Sequence, residues 1–167
     1  MKYNLILLLL AAILVSFKND EPKLTAYIFY SDTCPMCIKY VYRLNEMQKQ
    51  YEKDGLKIIA VFSNYYTKPA DIAKFKAKEK PQYELLQDKD LKLANEFDAS
   101  ITPEVVLVNK KRQIIYRGLI DNWFYRPGKY RQVTTQFYLR DAIDSTLAKA
   151  KPAVTETLPI GCYLMCY

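Results

Sequence analysis

The chain has no histidine. That removes the commonest general base and the commonest neutral metal ligand, so a zinc site would have to draw its roughly four ligands from cysteines and carboxylates. No apolar run reaches the roughly twenty residues of a comfortable bilayer-spanning helix. The longest, Leu5–Phe17, stops at Lys18-Asn19-Asp20-Glu21-Pro22. No cysteine directly follows that run, which leaves lipoprotein attachment without an acceptor, and no internal repeat or low-complexity segment interrupts the chain.

What is present begins with the leader. Lys2 ahead of Leu5–Phe17 gives residues 1–17 the basic start and short apolar stretch of a secretory signal. A clean small-x-small cleavage site is missing, with Ser16 the best residue before a cut, so an uncleaved membrane tether is the alternative. The 167 residues, half of them hydrophobic, suffice for one core. A single domain is expected over residues 18–150, followed by a tail over 151–167. Twenty-five basic against 18 acidic residues leave a net +7. The basic groups, such as Lys74, Lys76, Lys78 and Lys80, are interleaved with acids, as on a solvated surface, and nucleic acid is not an expected partner of an exported chain.

Cys34-Pro35-Met36-Cys37 carries the chemistry. The run Leu24–Tyr30 is β-branched and aromatic and ends at the turn-forming Ser31-Asp32, so it reads as a buried strand. From Cys37 to Lys53, apolar Ile38, Val41, Leu44 and Met47 recur at helical spacing. Pro35 suits a first helical turn, which puts Cys34 at a helix N-terminus. There the unpaired N–H groups and the macrodipole favour the thiolate, the attacking form of a group that is mostly protonated at its usual pKa of about 8.5. Cys34 is therefore the expected nucleophile and Cys37 the resolving thiol. A permanent local disulfide or half of a zinc site are the alternatives.

Beyond Gly55, Leu56–Phe62 reads as a second strand, Pro69–Lys80 as a charged helix, Gln82–Gln87 as a short strand, and Leu91–Phe97 as a helix capped by Asp88 or Asp90. Ile101–Val108 and Gln113–Gly118 form a hairpin, residues 119–133 an inserted loop holding Trp123, and Thr134–Lys149 a closing helix. Strands alternating with helices predict an α/β sheet, to which the hairpin adds antiparallel strands. Residues 150–161 read as extended.

Cys34-Pro35-Met36-Cys37 after the first strand, with Thr102-Pro103 opening a late one, resembles the thioredoxin-like superfamily, and more closely its exported redoxin branch of thiol–disulfide oxidoreductases, over about residues 23–149. Arg117–Asn122 and Thr157–Cys162, with its Gly-Cys, are similar to redoxins of bacterial envelopes. The resemblance implies a thioredoxin-like α/β fold, a central mixed sheet flanked by helices with a C-terminal extended tail. It implies a cis Thr102–Pro103 bond, with Thr102 free to pair with an extended substrate and Pro103 against the sulfurs, so that Pro35, Met36, Thr102 and Pro103 form the active face. Protein thiols and disulfides and an envelope electron donor or acceptor are the implied partners, the bacterial periplasm or envelope the implied location, and no cofactor or metal is expected.

Three departures from thioredoxin itself stand out. Thr33 occupies the place of a Trp, Pro35-Met36 stand for Gly-Pro, and Ile28 replaces a buried acid. The proton acceptor of Cys37 is therefore open. Glu104 is one candidate, and a solvated surface carboxylate is its blander reading. Asp121 and Asn122 line the active face or cap a turn. Cys162 and Cys166 admit three readings: a structural tail disulfide, a redox relay with Cys34–Cys37, or, with Met165, a soft-metal site. The missing His speaks against the thioredoxin-like copper chaperones. Two rival functions remain: a thiol peroxidase, for which Ser31 fits and Tyr27 does not, and a non-catalytic binding module that contacts its partner through the 119–133 loop.

Overall fold

The computed structural model describes residues 21–164. The leader, Met165 and Cys166 lie outside the described residues, so the signal and tail-disulfide readings have no structural counterpart here. Nine strands and four α-helices follow in the order β1 (Leu24–Phe29), α1 (Pro35–Tyr51), β2 (Leu56–Phe62), α2 (Pro69–Glu79), β3 (Glu84–Gln87), α3 (Lys92–Glu96), β4 (Ile101–Thr102), β5 (Glu104–Asn109), β6 (Ile114–Gly118), β7 (Phe124–Arg126), β8 (Lys129–Tyr130), α4 (Tyr138–Leu147) and β9 (Cys162–Tyr163) among the described residues. No helix among them is long and apolar enough to cross a membrane.

Five strands form the central mixed sheet in the order β3-β2-β1-β5-β6. β1, β2 and β3 are parallel, while β5 runs antiparallel to β1 and β6 antiparallel to β5. The period-2 alternation of the strands divides the apolar residues between two faces. Leu24, Ala26 and Ile28 join Ile58, Ala60, Val105 and Leu107 on one face, packed with Leu44 of α1, Phe75 of α2 and Leu139 and Ile143 of α4. Tyr27, Phe29, Ile59, Val61, Val106 and Val108 cover the other, against Ala94 of α3 and Phe97. Both faces of β1 are buried, which is why all of its residues but Thr25 are apolar.

Helix boundaries follow local chemistry. Asp88 accepts hydrogen bonds from the N–H groups of Leu93 (3.1 Å) and Ala94 (3.0 Å), the capping role expected of it. α4 begins at Tyr138, four residues later than its spacing suggests. The reason is Asn122, whose Oδ1 accepts from the N–H groups of Thr135 (3.0 Å) and Gln136 (3.2 Å) and so holds that segment out of the helix.

The 119–133 segment is more than an inserted loop. It contains the β7–β8 hairpin, and Ile120, Asp121 and Phe124 are buried. Asp121 accepts from Tyr40 Oη (2.7 Å), Arg43 (2.7 Å) and the Trp123 N–H (2.8 Å), anchoring the loop to α1 while capping its own turn.

Candidate active site

The register of the sheet builds the site. Phe29, the last residue of β1, is paired with Glu104, the first of β5. Residues just beyond Phe29 and just before Glu104 therefore meet at one end of the sheet. Cys34 arrives there as the N-cap of α1, with extended backbone (φ −77°, ψ 116°) and Pro35 in the first turn. Thr102 and Pro103 arrive from the other side, joined by a cis peptide bond. The Cys34 Sγ lies 3.5 Å from the Thr102 carbonyl oxygen.

The two thiols are differentiated as their positions suggest. A hydrogen bond from the Cys37 side chain is the main influence bringing the Cys34 thiol down to about 5, against the opposing effect of burial. A hydrogen bond from Cys162 and the backbone N–H groups of Cys37 and Met36, free donors of the first helical turn, act in the same direction. Cys37 is fully buried, and burial together with the adjacent Cys34 pushes its thiol up. The site thus holds one thiolate beside one protonated thiol.

This sets a pH profile. The folded value of Cys34 lies below the roughly 8.5 of an unfolded thiol, so its stabilising contribution is complete above about 8.5 and is lost as pH falls toward 5. Cys37 and Cys162 are shifted the other way, so their contributions are lost as pH rises above about 8.5. The reduced protein is expected to gain stability relative to its Cys34→Ser variant between about pH 5 and 8.5. Ultraviolet thiolate absorbance should show a step centred near pH 5 that this variant lacks; a single step near 8.5 would contradict it.

Some expected site residues fall elsewhere. Pro35 forms an exposed rim, while Met36 is 2 % exposed and belongs to the core packing instead of the active face. Glu104 is buried, not solvated. Strand alternation puts it on the opposite face of the sheet from Val105, where it is 2 % exposed and pairs with Arg117 at 3.0 Å. An internal cation compensates its burial, and its carboxylate is turned to Arg117 on the sheet face away from Val105.

Tyr30 takes a place that sequence reasoning did not assign. Its side chain is fully buried between Phe62 and Phe75, and its hydroxyl donates to the Cys37 carbonyl oxygen. The Tyr83 hydroxyl donates to it in turn at 3.4 Å. Burial first, and the neighbouring Tyr83 and thiols after it, keep Tyr30 protonated. Tyr30 thereby pins the first turn of α1 to the sheet. The alternation 24, 26, 28, 30 already assigned it to the α1 face, which was the available signal.

Cys162 is the other arrival. Its Sγ lies 2.9 Å from that of Cys34, and its strand β9 pairs antiparallel with β4, Cys162 opposite Thr102. A groove of about 400 Å³ runs beside the site between Thr33, Thr67, Thr102 and the tail residues Tyr163 and Leu164. No cluster among the described residues groups His, Cys, Asp and Glu as a metal site.

With this geometry in hand, residues 15–117, more than half of the chain, match the AhpC/TSA family. The chain belongs to the AhpC/TSA family. No curated protein matches the sequence. Solved structures share the fold of this AhpC/TSA member at low identity. A hypothetical protein from Sinorhizobium meliloti is 24% identical, covering 86% of this chain and 80% of its own, with a TM-score of 0.76. An uncharacterized conserved protein from Geobacillus kaustophilus is also 24% identical, over 85% and 76%, at 0.75. The thioredoxin domain of a thiol-disulfide oxidoreductase from Bacteroides vulgatus is 19% identical, over 63% and 73%, at 0.54. The fold is thioredoxin-like, and membership of this family makes the chain a redoxin.

Proposed function

We propose that the protein is an exported thiol–disulfide oxidoreductase that exchanges electrons with protein dithiols and disulfides through Cys34 and Cys37. The observation that carries this reading is the placement of the pair: Cys34 at the start of α1 with its Sγ 3.5 Å from the Thr102 carbonyl oxygen, and Cys37 fully buried one turn further on, an arrangement that lowers the first thiol and raises the second. The Cys34 thiolate attacks one sulfur of a substrate disulfide, the other sulfur leaves with the electron pair and takes a proton, and a mixed disulfide remains. Cys37 then gives up its proton, attacks the Cys34 sulfur and releases the second substrate thiol. The protein is left with a Cys34–Cys37 disulfide, and an envelope electron partner resets it.

Stepwise equilibration with reduced and oxidised glutathione tests the couple, with free thiols alkylated and weighed by mass spectrometry at each ratio. The expected result is a reversible two-electron transition that joins Cys34 and Cys37. Its midpoint separates reductase from oxidase or isomerase. Thiols that never pair over the whole range, or a disulfide that never opens, would refute the reading.

Family membership supports thiol peroxidase as the second reading. Tyr27, where that chemistry's pattern expects a proline four residues before Ser31, speaks against it. Peroxide consumption by the reduced protein distinguishes the two.

A further inference from the structure

The last described segment of the chain is bound to the active site more closely than a passive tail requires. Residues 155–157 run along the free edge of β6, with the Arg117 N–H donating to the Thr155 carbonyl and the Thr157 N–H to the Arg117 carbonyl, each at 3.0 Å. Thr157 Oγ1 also accepts from the Leu119 N–H at 2.9 Å and meets Tyr116 Oη at 2.8 Å. Two glycines make this path sterically open. A Cβ on Gly118 would stand 2.2 Å from the Thr157 carbonyl oxygen, and one on Gly161 would stand 2.0 Å from that of Thr102.

Beyond Gly161 the tail becomes a strand. Cys162 is paired with Thr102 and Tyr163 with Ile101, the Leu164 N–H donates to the Ser100 carbonyl at 2.8 Å, and Leu164 is buried in the second core cluster. An extended segment is thus paired antiparallel with the strand that leads into Pro103, and its cysteine faces the nucleophile. Cys34 is only 2 % exposed beneath it. Backbone pairing along a free strand edge is the way in which extended peptides are held by a sheet.

We propose that the tail is a built-in substrate segment and Cys162 a third redox sulfur, which exchanges with the Cys34–Cys37 disulfide to close a Cys34–Cys162 disulfide. This rests on the reading of Cys34 and Cys37 as a redox couple. In the exchange the Cys162 thiol loses its proton and its sulfur attacks the Cys34 sulfur. The Cys34–Cys162 bond forms as the Cys34–Cys37 bond breaks, and Cys37 leaves with the electron pair and takes up a proton. The count of thiols and disulfides is unchanged, so no external oxidant is consumed. A protein substrate and the tail compete for the same strand edge, so the docked tail restrains the enzyme.

The full chain carrying Cys37→Ala is treated with glutathione disulfide, alkylated in acid, cleaved with chymotrypsin and mapped by mass spectrometry. Cleavage after Tyr163 separates Cys162 from Cys166. The glutathione adduct first formed on Cys34 is expected to be displaced by Cys162, whose effective concentration as a docked neighbour is on the order of mM or higher. The Cys34–Cys162 peptide pair should then dominate. A stable glutathione adduct on Cys34 beside alkylated Cys162, or a Cys34–Cys166 product, overturns the proposal.

Gly161→Val in the same background tests the docking without touching a sulfur. It should lower the Cys34–Cys162 product roughly tenfold or more, since its side chain has no room above Thr102. In the otherwise unaltered chain it should raise the rate of insulin reduction. An unchanged yield of the tail disulfide would overturn the docked-strand geometry. If the unaltered protein cycles its Cys34–Cys37 disulfide while Cys37→Ala never links Cys162, the tail proposal alone is lost. If Cys34 takes no adduct at all, the underlying redox reading falls with it.

Discussion

Cys34→Ser is expected to lower insulin-disulfide reduction on the order of 10³-fold or more, to the rate set by the added dithiol alone. The sulfur at this position combines two properties that no other described residue shares. It is ionised near neutrality, with its thiol at about 5, and it stands at the end of the sheet where the Thr102 carbonyl is 3.5 Å away. A serine hydroxyl is a far weaker nucleophile at that pH and cannot form the mixed disulfide through which exchange proceeds. Cys37→Ser leaves the first attack intact and removes its usual resolution, so the mixed disulfide on Cys34 should pass to Cys162 in place of Cys37. The fold should survive both substitutions, because each exchanges one small side chain for another. Far-ultraviolet circular dichroism close to that of the unaltered protein would confirm that lost chemistry and not lost structure is being read. Turnover by Cys34→Ser at the unaltered rate would remove Cys34 from the mechanism.

Asp121→Ala should have the largest effect on stability. Its carboxylate is 5 % exposed and accepts from Tyr40 Oη, the Arg43 guanidinium and the Trp123 N–H. Arg43 is itself sandwiched, with its guanidinium 4.1 Å from the centre of the Trp123 ring. Removing the carboxylate strands a phenol and a partly buried cation at the joint between α1 and the 119–133 segment. Loss of one partner from a buried pair costs about 3–5 kcal/mol. Arg43 keeps about a third of its side chain in solvent, so about 3 kcal/mol is the expectation. For a chain of this length that lowers Tm by roughly 6–12 °C. Asp121→Asn keeps two acceptor sites for Tyr40 and Trp123 and should cost less than the alanine. A thermal melt within 2 °C of the unaltered protein, a margin of about 1 kcal/mol or less, would show that the joint is not held by this cluster.

Much of the architecture was legible in the linear pattern. Runs apolar at all but one position, Leu24–Phe29 with Thr25 and Leu56–Phe62 with Lys57, became central strands, because a strand buried on both faces is apolar at nearly every position. Helical spacing after Pro35 became α1, and Asp88 capped the short helix after it. Local rules failed where a distant partner intervened. Asn122 occupies the N–H groups that would have begun α4 at Thr134, and Arg117 makes burial of Glu104 tolerable where an isolated carboxylate belongs in solvent. Tyr30 was half legible: its face followed from alternation, while its bond to the Cys37 carbonyl depended on where α1 crosses the sheet.

The identity of the proposed reacting groups was therefore a property of the linear chain. Two cysteines flanking Pro35-Met36 at a helix start are set by spacing within a single turn, and short-range geometry is encoded locally. The third sulfur was not. Cys162 lies 128 residues from Cys34, and its approach to 2.9 Å depends on the strand register that places Thr102 beside the helix start and on bare glycines at 118 and 161 that let the tail lie against the backbone. Closing so long a loop is settled only by the sum of those distant contacts, so the covering of Cys34 by the tail was decided by tertiary structure alone.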